Sequence, residues 1–422
     1  MGLNVIIKKI EKDFKSIYKH LIAQGVWVFL GRIYLMGIAF LSSIILTKYL
    51  SVDQYGEYRY LMSIIALVVM FSLPESSQII IRYIPRKFGS LYSILTLERM
   101  KYAIIGSLVF ILLGIYSYSE GKSSLSITYF VLAAINPFYQ TFSLYDALLQ
   151  AKIDYKRLNQ LYVIKTSIQL FVTLIILYIF NSVYVLILFT IITISIIDYF
   201  FYKFINKIYP SENVLKLNIL DRFKKEVLIL SLVGVLPIIS AQLDKILIAN
   251  YLNYASVGIF TIGFFFGKTI NSFFKPFIST INAKLVYLKL KRRHYLIVFF
   301  IGTLIGSLLS LYVDFLLIYI YGNNYASSYI YARIVLFSMG LYFVQTIYAN
   351  QNLFYKKSSL FKVYFTNAFV PIFSMLYMLA IILNFEKSNM ILLGMALLYP
   401  INLLLSIFLL FILTKVEKRN IK

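Results

Sequence analysis

The chain has 422 residues, of which 60% are hydrophobic and only 14% charged, and it carries a formal net charge of +24. A soluble domain has roughly 45–50% apolar and about 25% charged residues, so a single aqueous core is excluded and lipid is the expected solvent. With no cysteine and only two histidines, disulfide frameworks, thiolate metal sites and two-histidine zinc sites are excluded as well.

At the start, Ile7, Ile10, Phe14, Ile17 and Leu21 recur every three or four residues, with Lys8, Lys12, Lys15 and Lys19 between them. Residues 1–21 therefore read as an amphipathic helix on the cytoplasmic membrane surface. The apolar stretch that follows is too long for a signal-peptide core, so no cleavable leader is expected. A spanning helix needs about 20 apolar residues, and the chain offers twelve such stretches. They lie near 22–47, 58–81, 102–118, 125–148, 160–180, 184–205, 227–250, 258–283, 295–320, 329–352, 363–383 and 388–413. The fold class expected is an all-α polytopic membrane protein of about twelve spans.

Loop charge sets the orientation. The loops after even-numbered spans carry Arg82, Arg86 and Lys87, then Lys152, Lys156 and Arg157, then Lys207, Arg222 and Lys224. With the two termini, 31 Lys and Arg fall on that side and four (Lys48, Arg59, Lys122, Lys387) on the other. The first side is predicted to be cytoplasmic, with both termini on it. The positive charge is thus a topology signal, and no nucleic-acid partner is expected.

The two halves of the chain resemble each other. Tyr49-Leu50 followed by Gly56 and Tyr58 returns 202 residues later as Tyr251-Leu252 followed by Gly258 and Phe260. At the same offset Pro74 matches Pro276 and Arg82 matches Lys284, and near it Tyr155-Lys156-Arg157 matches Tyr355-Lys356-Lys357. An even number of spans separates the equivalents, so the repeat is parallel, about an axis along the membrane normal. Two six-helix lobes follow, 22–205 and 227–413. A cytoplasmic linker at 206–226 joins them, and 414–422 is a basic tail.

From Gly31 through LTKYLSVDQYGEY to Pro74 and Arg82, the chain resembles the opening of the bacterial polysaccharide flippases of the multidrug/oligosaccharidyl-lipid/polysaccharide (MOP) exporter superfamily. Lys48, Leu50, Asp53 and Tyr55-Gly56 fill the matching places, and AQLDKILIANYLNYASVGIF resembles the second-lobe opening. The resemblance implies two lobes around a central cavity. It also implies export of undecaprenyl-pyrophosphate-linked oligosaccharide through the bacterial cytoplasmic (inner) membrane for surface polysaccharide such as O-antigen or capsule. The polysaccharide polymerase and chain-length machinery are the implied protein partners, membrane lipids the surroundings, and no cofactor is expected beyond a proton or sodium gradient.

An ionised side chain at the bilayer centre costs on the order of 3 kcal/mol or more, and such residues usually face a water-filled cavity or each other. Arg32, Lys268, Lys275, Lys245, Arg333 and Lys165 lie in spans and are the candidate cationic cavity for a pyrophosphate. Arg32 and Lys268 are too deep to reach an interface and are the leading pair; Arg333 and Lys165 are placed where snorkelling also serves. The span acids Asp244, Asp314, Asp198, Glu75 and Asp146 are candidates for ion coupling, or else structural partners of those cations.

The run GFFFGKT at Gly263–Thr269 is one residue short of a phosphate-binding loop and lies in an apolar helix. It reads as a close-packing face instead. Three alternatives stand beside the flippase: a multidrug exporter of the same fold, which calls for an acidic cavity; a lipid II flippase, typically with two further spans; and a membrane polymerase or ligase, which calls for catalytic groups in outward loops. Those loops are short and contain no histidine. No enzyme activity is expected.

Overall fold

A computed structural model of the chain describes residues 2–86, 90–210, 217–274, 290–354 and 361–420, with the side chains of the first helix described from Val26 onward. Among these residues there are fifteen α-helices and no strand. The first half holds α1 (Gly2–Tyr49), α2 (Val52–Val68), α3 (Ser76–Tyr83), α4 (Leu91–Ser119), α5 (Ser123–Ile135), α6 (Tyr145–Ala151), α7 (Tyr155–Phe180) and α8 (Val183–Ile208). The second holds α9 (Leu217–Tyr251), α10 (Tyr254–Phe273), α11 (Arg292–Tyr321), α12 (Tyr329–Phe337), α13 (Met339–Phe354), α14 (Phe361–Asn384) and α15 (Ser388–Asn420).

The repeat is visible in the helix ends. At the 202-residue offset the end of α1 maps onto the end of α9, and the start of α2 onto the start of α10. Even the caps correspond. Ser51 and Gln54 form a capping box, each side chain bonding the other's backbone N–H, at 3.0 and 3.2 Å. At the equivalent place Asn253 accepts from the Ser256 N–H at 2.8 Å. Both caps satisfy N–H groups that a helix start leaves without partners.

Among the described residues eight helices are long and apolar enough to cross a membrane, and two bent pairs raise that to ten. The first pair breaks at Leu73, in the left-handed conformation just before Pro74, where α2 and α3 diverge by 49°. The second bends by 44° at Ser338, between α12 and α13. The expected count of twelve is not reached by length and composition. The fourth expected span is interrupted after α5: Pro137 brings no N–H to the helix ladder, Gln140 is left-handed, and only then does α6 begin. The last part of the eighth expected span, beyond Phe274, lies outside the described residues. At the amino terminus α1 runs unbroken from Gly2 to Tyr49, so residues expected to form a separate surface helix share a backbone with the first span.

One apolar core joins the halves: Leu46, Tyr55 and Ile65 of the first pack with Ile262, Leu317 and Tyr325 of the second. A second core, around Ile79, Tyr92 and Leu148, takes in Phe223 and Val227 from the first turns of α9. The stretch expected to be a linker therefore ends as helix packed on the first half. Lys224 pairs with Glu98 at 3.0 Å and Arg82 with Glu226 at 3.1 Å at the same junction.

The halves meet most closely where α2 crosses α10, at the face predicted to be external. A carbon added to Gly56 would run into the Tyr254 carbonyl, and one added to Gly258 would run into that of Val52. Two repeat-equivalent glycines thus bring two backbones into contact. Asp53 Oδ1 accepts the Ala255 N–H at 3.1 Å, bonding one repeat to its own counterpart residue in the other. Ser43 and Tyr321 hydrogen-bond at 2.8 Å beside this crossing, and the rings of Tyr60 and Tyr254 stand 5.4 Å apart. The glycines of GFFFGKT serve a similar purpose: Gly263 lies on the Ser328 carbonyl and Gly267 on Val335 of α12.

Candidate functional site

Six span cations and five span acids were the candidates. The structure sorts the described ones by whether an acid reaches them. Lys165 on α7 donates to Asp198 on α8 at 2.6 Å. Asp198 is wholly buried and also accepts from Tyr145 at 3.0 Å, leaving its Oδ2 without a partner. Beside it Asp146 accepts from Tyr162 at 3.0 Å, and its Oδ1 is likewise buried and unpartnered. Lys245 pairs with its neighbour Asp244 at 2.8 Å and donates to the Ala241 carbonyl at the same distance. Arg333 pairs with Asp314 at 2.7 Å and lies over the Tyr329 ring.

Two cations are different. No ion pair to Arg32 or Lys268 occurs among the described residues. Lys268 projects from α10 over two rings, with Nζ 4.3 Å from the centre of Phe264 and 5.5 Å from that of Tyr399. Its side chain keeps accessible surface and lines a cavity. That cavity has a volume of about 230 Å³ and is lined by Ser240, Asp244, Lys268, Ser374, Tyr399 and Asn402, among others. Ser374 donates to Asn402 at 2.9 Å on its wall, and Asn271 to Tyr399 at 3.3 Å. The site offers one ammonium, one carboxylate already engaged by Lys245, and neutral donors and acceptors.

Arg32 is exposed. Glu75, at the α2–α3 break, is half-buried with its carboxylate against Gly234 of α9. Lys275 lies outside the described residues. Outside the spans, a hydrogen bond from Lys122 holds the Glu120 carboxyl below its ordinary range.

Two arginines missed by the sequence reading belong to this inventory. Arg99, one of the 31 cations assigned to the cytoplasmic side, is buried inside α4 and donates from Nε to the Ser72 carbonyl at 3.0 Å. Arg59, counted with the opposite loops, lies within α2. The only available signal was the length of the polar-flanked stretch before each span. Helices start several residues earlier than apolar content alone implies.

A model of the polysaccharide biosynthesis protein family matches residues 21–282. The chain belongs to that family. As a polysaccharide biosynthesis protein it has the fold of the MOP exporters, which solved structures show at low identity. A MATE transporter of Vibrio cholerae, VcmN, aligns with a TM-score of 0.63 at 12% identity, over 95% of this chain and 98% of that one. The lipid II flippase MurJ in an inward closed conformation aligns at 0.61 and 14%, over 93% and 87%. An inward-facing multidrug-resistance MATE transporter aligns at 0.57 and 12%, over 89% and 92%. No curated protein matches the chain. This polysaccharide biosynthesis protein is a multi-pass membrane protein with the fold of those transporters.

Proposed function

We propose that this transporter flips undecaprenyl-pyrophosphate-linked oligosaccharide units from the inner to the outer leaflet of the bacterial cytoplasmic membrane, for surface polysaccharide such as O-antigen or capsule. One observation carries the reading: the two deepest cations, Arg32 and Lys268, are the described candidates that no acid neutralises. A free guanidinium and a free ammonium in a low-dielectric passage supply what a pyrophosphate loses when it leaves water. Both termini are cytoplasmic in this reading, as the loop charges predict.

The lobes, 22–205 and 227–413, rock about their junction so that the cavity opens to one side and then the other. No bond is made or broken in the lipid-linked sugar. Lys165, Lys245 and Arg333 hold their lobes together through Asp198, Asp244 and Asp314. Asp146 and Glu75, whose carboxylates meet no cation in a direct ion pair among the described residues, are the acids best placed to take part in proton or sodium coupling. A polymerase and its chain-length partners would receive the flipped unit.

The test is made in cells and in vesicles. Deleting the gene should abolish surface polysaccharide while lipid-linked units accumulate on the inner leaflet. Arg32→Ala and Lys268→Ala should each abolish export at normal membrane levels of protein. Wild-type export by both variants removes the cavity assignment. A change in drug susceptibility with unchanged surface polysaccharide replaces the reading with multidrug export.

A further inference from the structure

Arg59 sits one helical turn inward of Gly56, on the same face of α2. Gly56 is where α2 touches α10, so that face is turned toward the second half. The Arg59 Nε is buried and has no hydrogen-bond partner, and no ion pair to Arg59 occurs among the described residues. The nearest acid in sequence, Glu57, is taken up by the Tyr184 hydroxyl at 2.5 Å. What does surround Arg59 is phenolic: its charge reaches Tyr55 and Tyr58. A guanidinium N–H withheld from water with no acceptor is a costly arrangement, and one that an arriving anion would relieve.

Depth separates Arg59 from the other two. At a rise of 1.5 Å per residue it lies about 10 Å below the predicted outer end of α2. Lys268 lies about 21 Å below the matching end of α10, and Arg32 about 25 Å below that of α1. Arg59 thus stands about 11 Å outward of Lys268 and about 15 Å outward of Arg32 along the path. We propose that Arg59 is a second, outward anion-binding station. It takes the phosphate-bearing headgroup after Arg32 and Lys268 release it, as the α2–α10 crossing parts. The proposal rests on the flippase reading above and adds an order to it: inner pair first, Arg59 last. The planar fork of Arg59 suits bidentate phosphate contact, with the hydroxyls of Tyr55 and Tyr58 as further donors.

The experiment uses purified full-length protein in liposomes and, as probe, a short polyprenyl pyrophosphate bearing a fluorescent disaccharide. Arg59→Gln should slow flipping about tenfold or more, and Arg59→Lys should fall between it and wild type. With the outer crossing held shut by a cross-link between Asp53→Cys and Ala255→Cys, in a chain that has no cysteine of its own, Arg59→Gln should bind the probe as wild type does. Flipping by Arg59→Gln at the wild-type rate overturns the proposal, as does loss of binding in the cross-linked state. If Arg32→Gln and Lys268→Gln are impaired while Arg59→Gln is not, only the outward station fails. If all three are normal, the central cavity fails with it. A fluorescent phosphatidylglycerol should be moved equally by wild type and Arg59→Gln; an effect on that lipid alone assigns Arg59 to bulk phospholipid and overturns the proposal. Should Arg59→Gln not insert, Arg59→Lys reports instead: it should flip the pyrophosphate probe more slowly than wild type, and flipping at the wild-type rate counts against the station.

Discussion

Lys165 and Lys268 are both single lysines in apolar helices, one in each half, and their surroundings are opposite. Lys165 meets a wholly buried Asp198 from the adjacent helix, within a shell that includes Tyr145, and only 17% of its side chain is exposed. Lys268 meets two aromatic faces and a cavity. The first arrangement spends the positive charge inside the protein, where it fixes α7 against α8. The second leaves it available to something that is not part of the chain. A charge in a span thus says nothing of its role until the neighbouring helix is known.

The comparison breaks first at the buried pair. Lys165→Met strands the Asp198 carboxylate and should destabilise the protein by about 3–5 kcal/mol, whereas Lys165→Met with Asp198→Leu should recover most of that loss. Thermal unfolding in detergent reads both. If the single variant melts no lower than the double one, Lys165 is not spent on Asp198 and the contrast with Lys268 disappears. Lys268→Met makes the reverse case. It removes a cavity-lining charge without stranding an acid, because Asp244 keeps Lys245. The melting temperature should hold or rise, while flipping in liposomes falls about tenfold or more. A large loss of stability with normal flipping would make Lys268 a structural residue like Lys165.

How much of this could be read from the sequence divides along physical lines. Helix content and the parallel repeat are local or periodic properties, and they survive in the structure: the 202-residue offset reappears as the bond between Asp53 and Ala255. Partnership does not survive a one-dimensional reading. Asp198 lies 33 residues from Lys165, and no pattern in the chain distinguishes that acid from Asp146. Boundaries also failed, for a definite reason. Ser51 caps α2 before any apolar run begins, so Arg59, counted with the outer side at the edge of the expected span 58–81, stands about two turns inside the helix. Arg99 was lost the same way at α4. The interruption after α5 depends on Pro137 and a left-handed Gln140, and the apolar residues around them hide it from a hydropathy window.

Burial should also rank the remaining pairs. Lys245 and Asp244 are about as exposed as Lys165, but Lys245 keeps a second acceptor in the Ala241 carbonyl. Asp244→Asn should therefore cost less than Lys165→Met, about 1–3 kcal/mol in the same melting assay. A loss as large as that of Lys165→Met would mean that Asp244 also steadies Lys268 across the cavity, and the two lysines would then no longer be opposites.

The mildest case is Arg333 with Asp314. Each side chain is 38% exposed, close to the end of the span, where water screens the pair. Exposed pairs contribute about 0–1 kcal/mol, and Arg333 keeps its place over the Tyr329 ring when the acid is gone. Asp314→Asn should lower stability by no more than about 1 kcal/mol, and raising the salt concentration should shrink the difference further. Flipping should stay near the wild-type rate, because Arg333 lies over the Tyr329 ring and does not line the cavity that Lys268 faces. If Asp314→Asn instead stopped transport at unchanged stability, Arg333 would have to be counted with Lys268, and partnership would no longer be the property that separates the structural cations from the working ones.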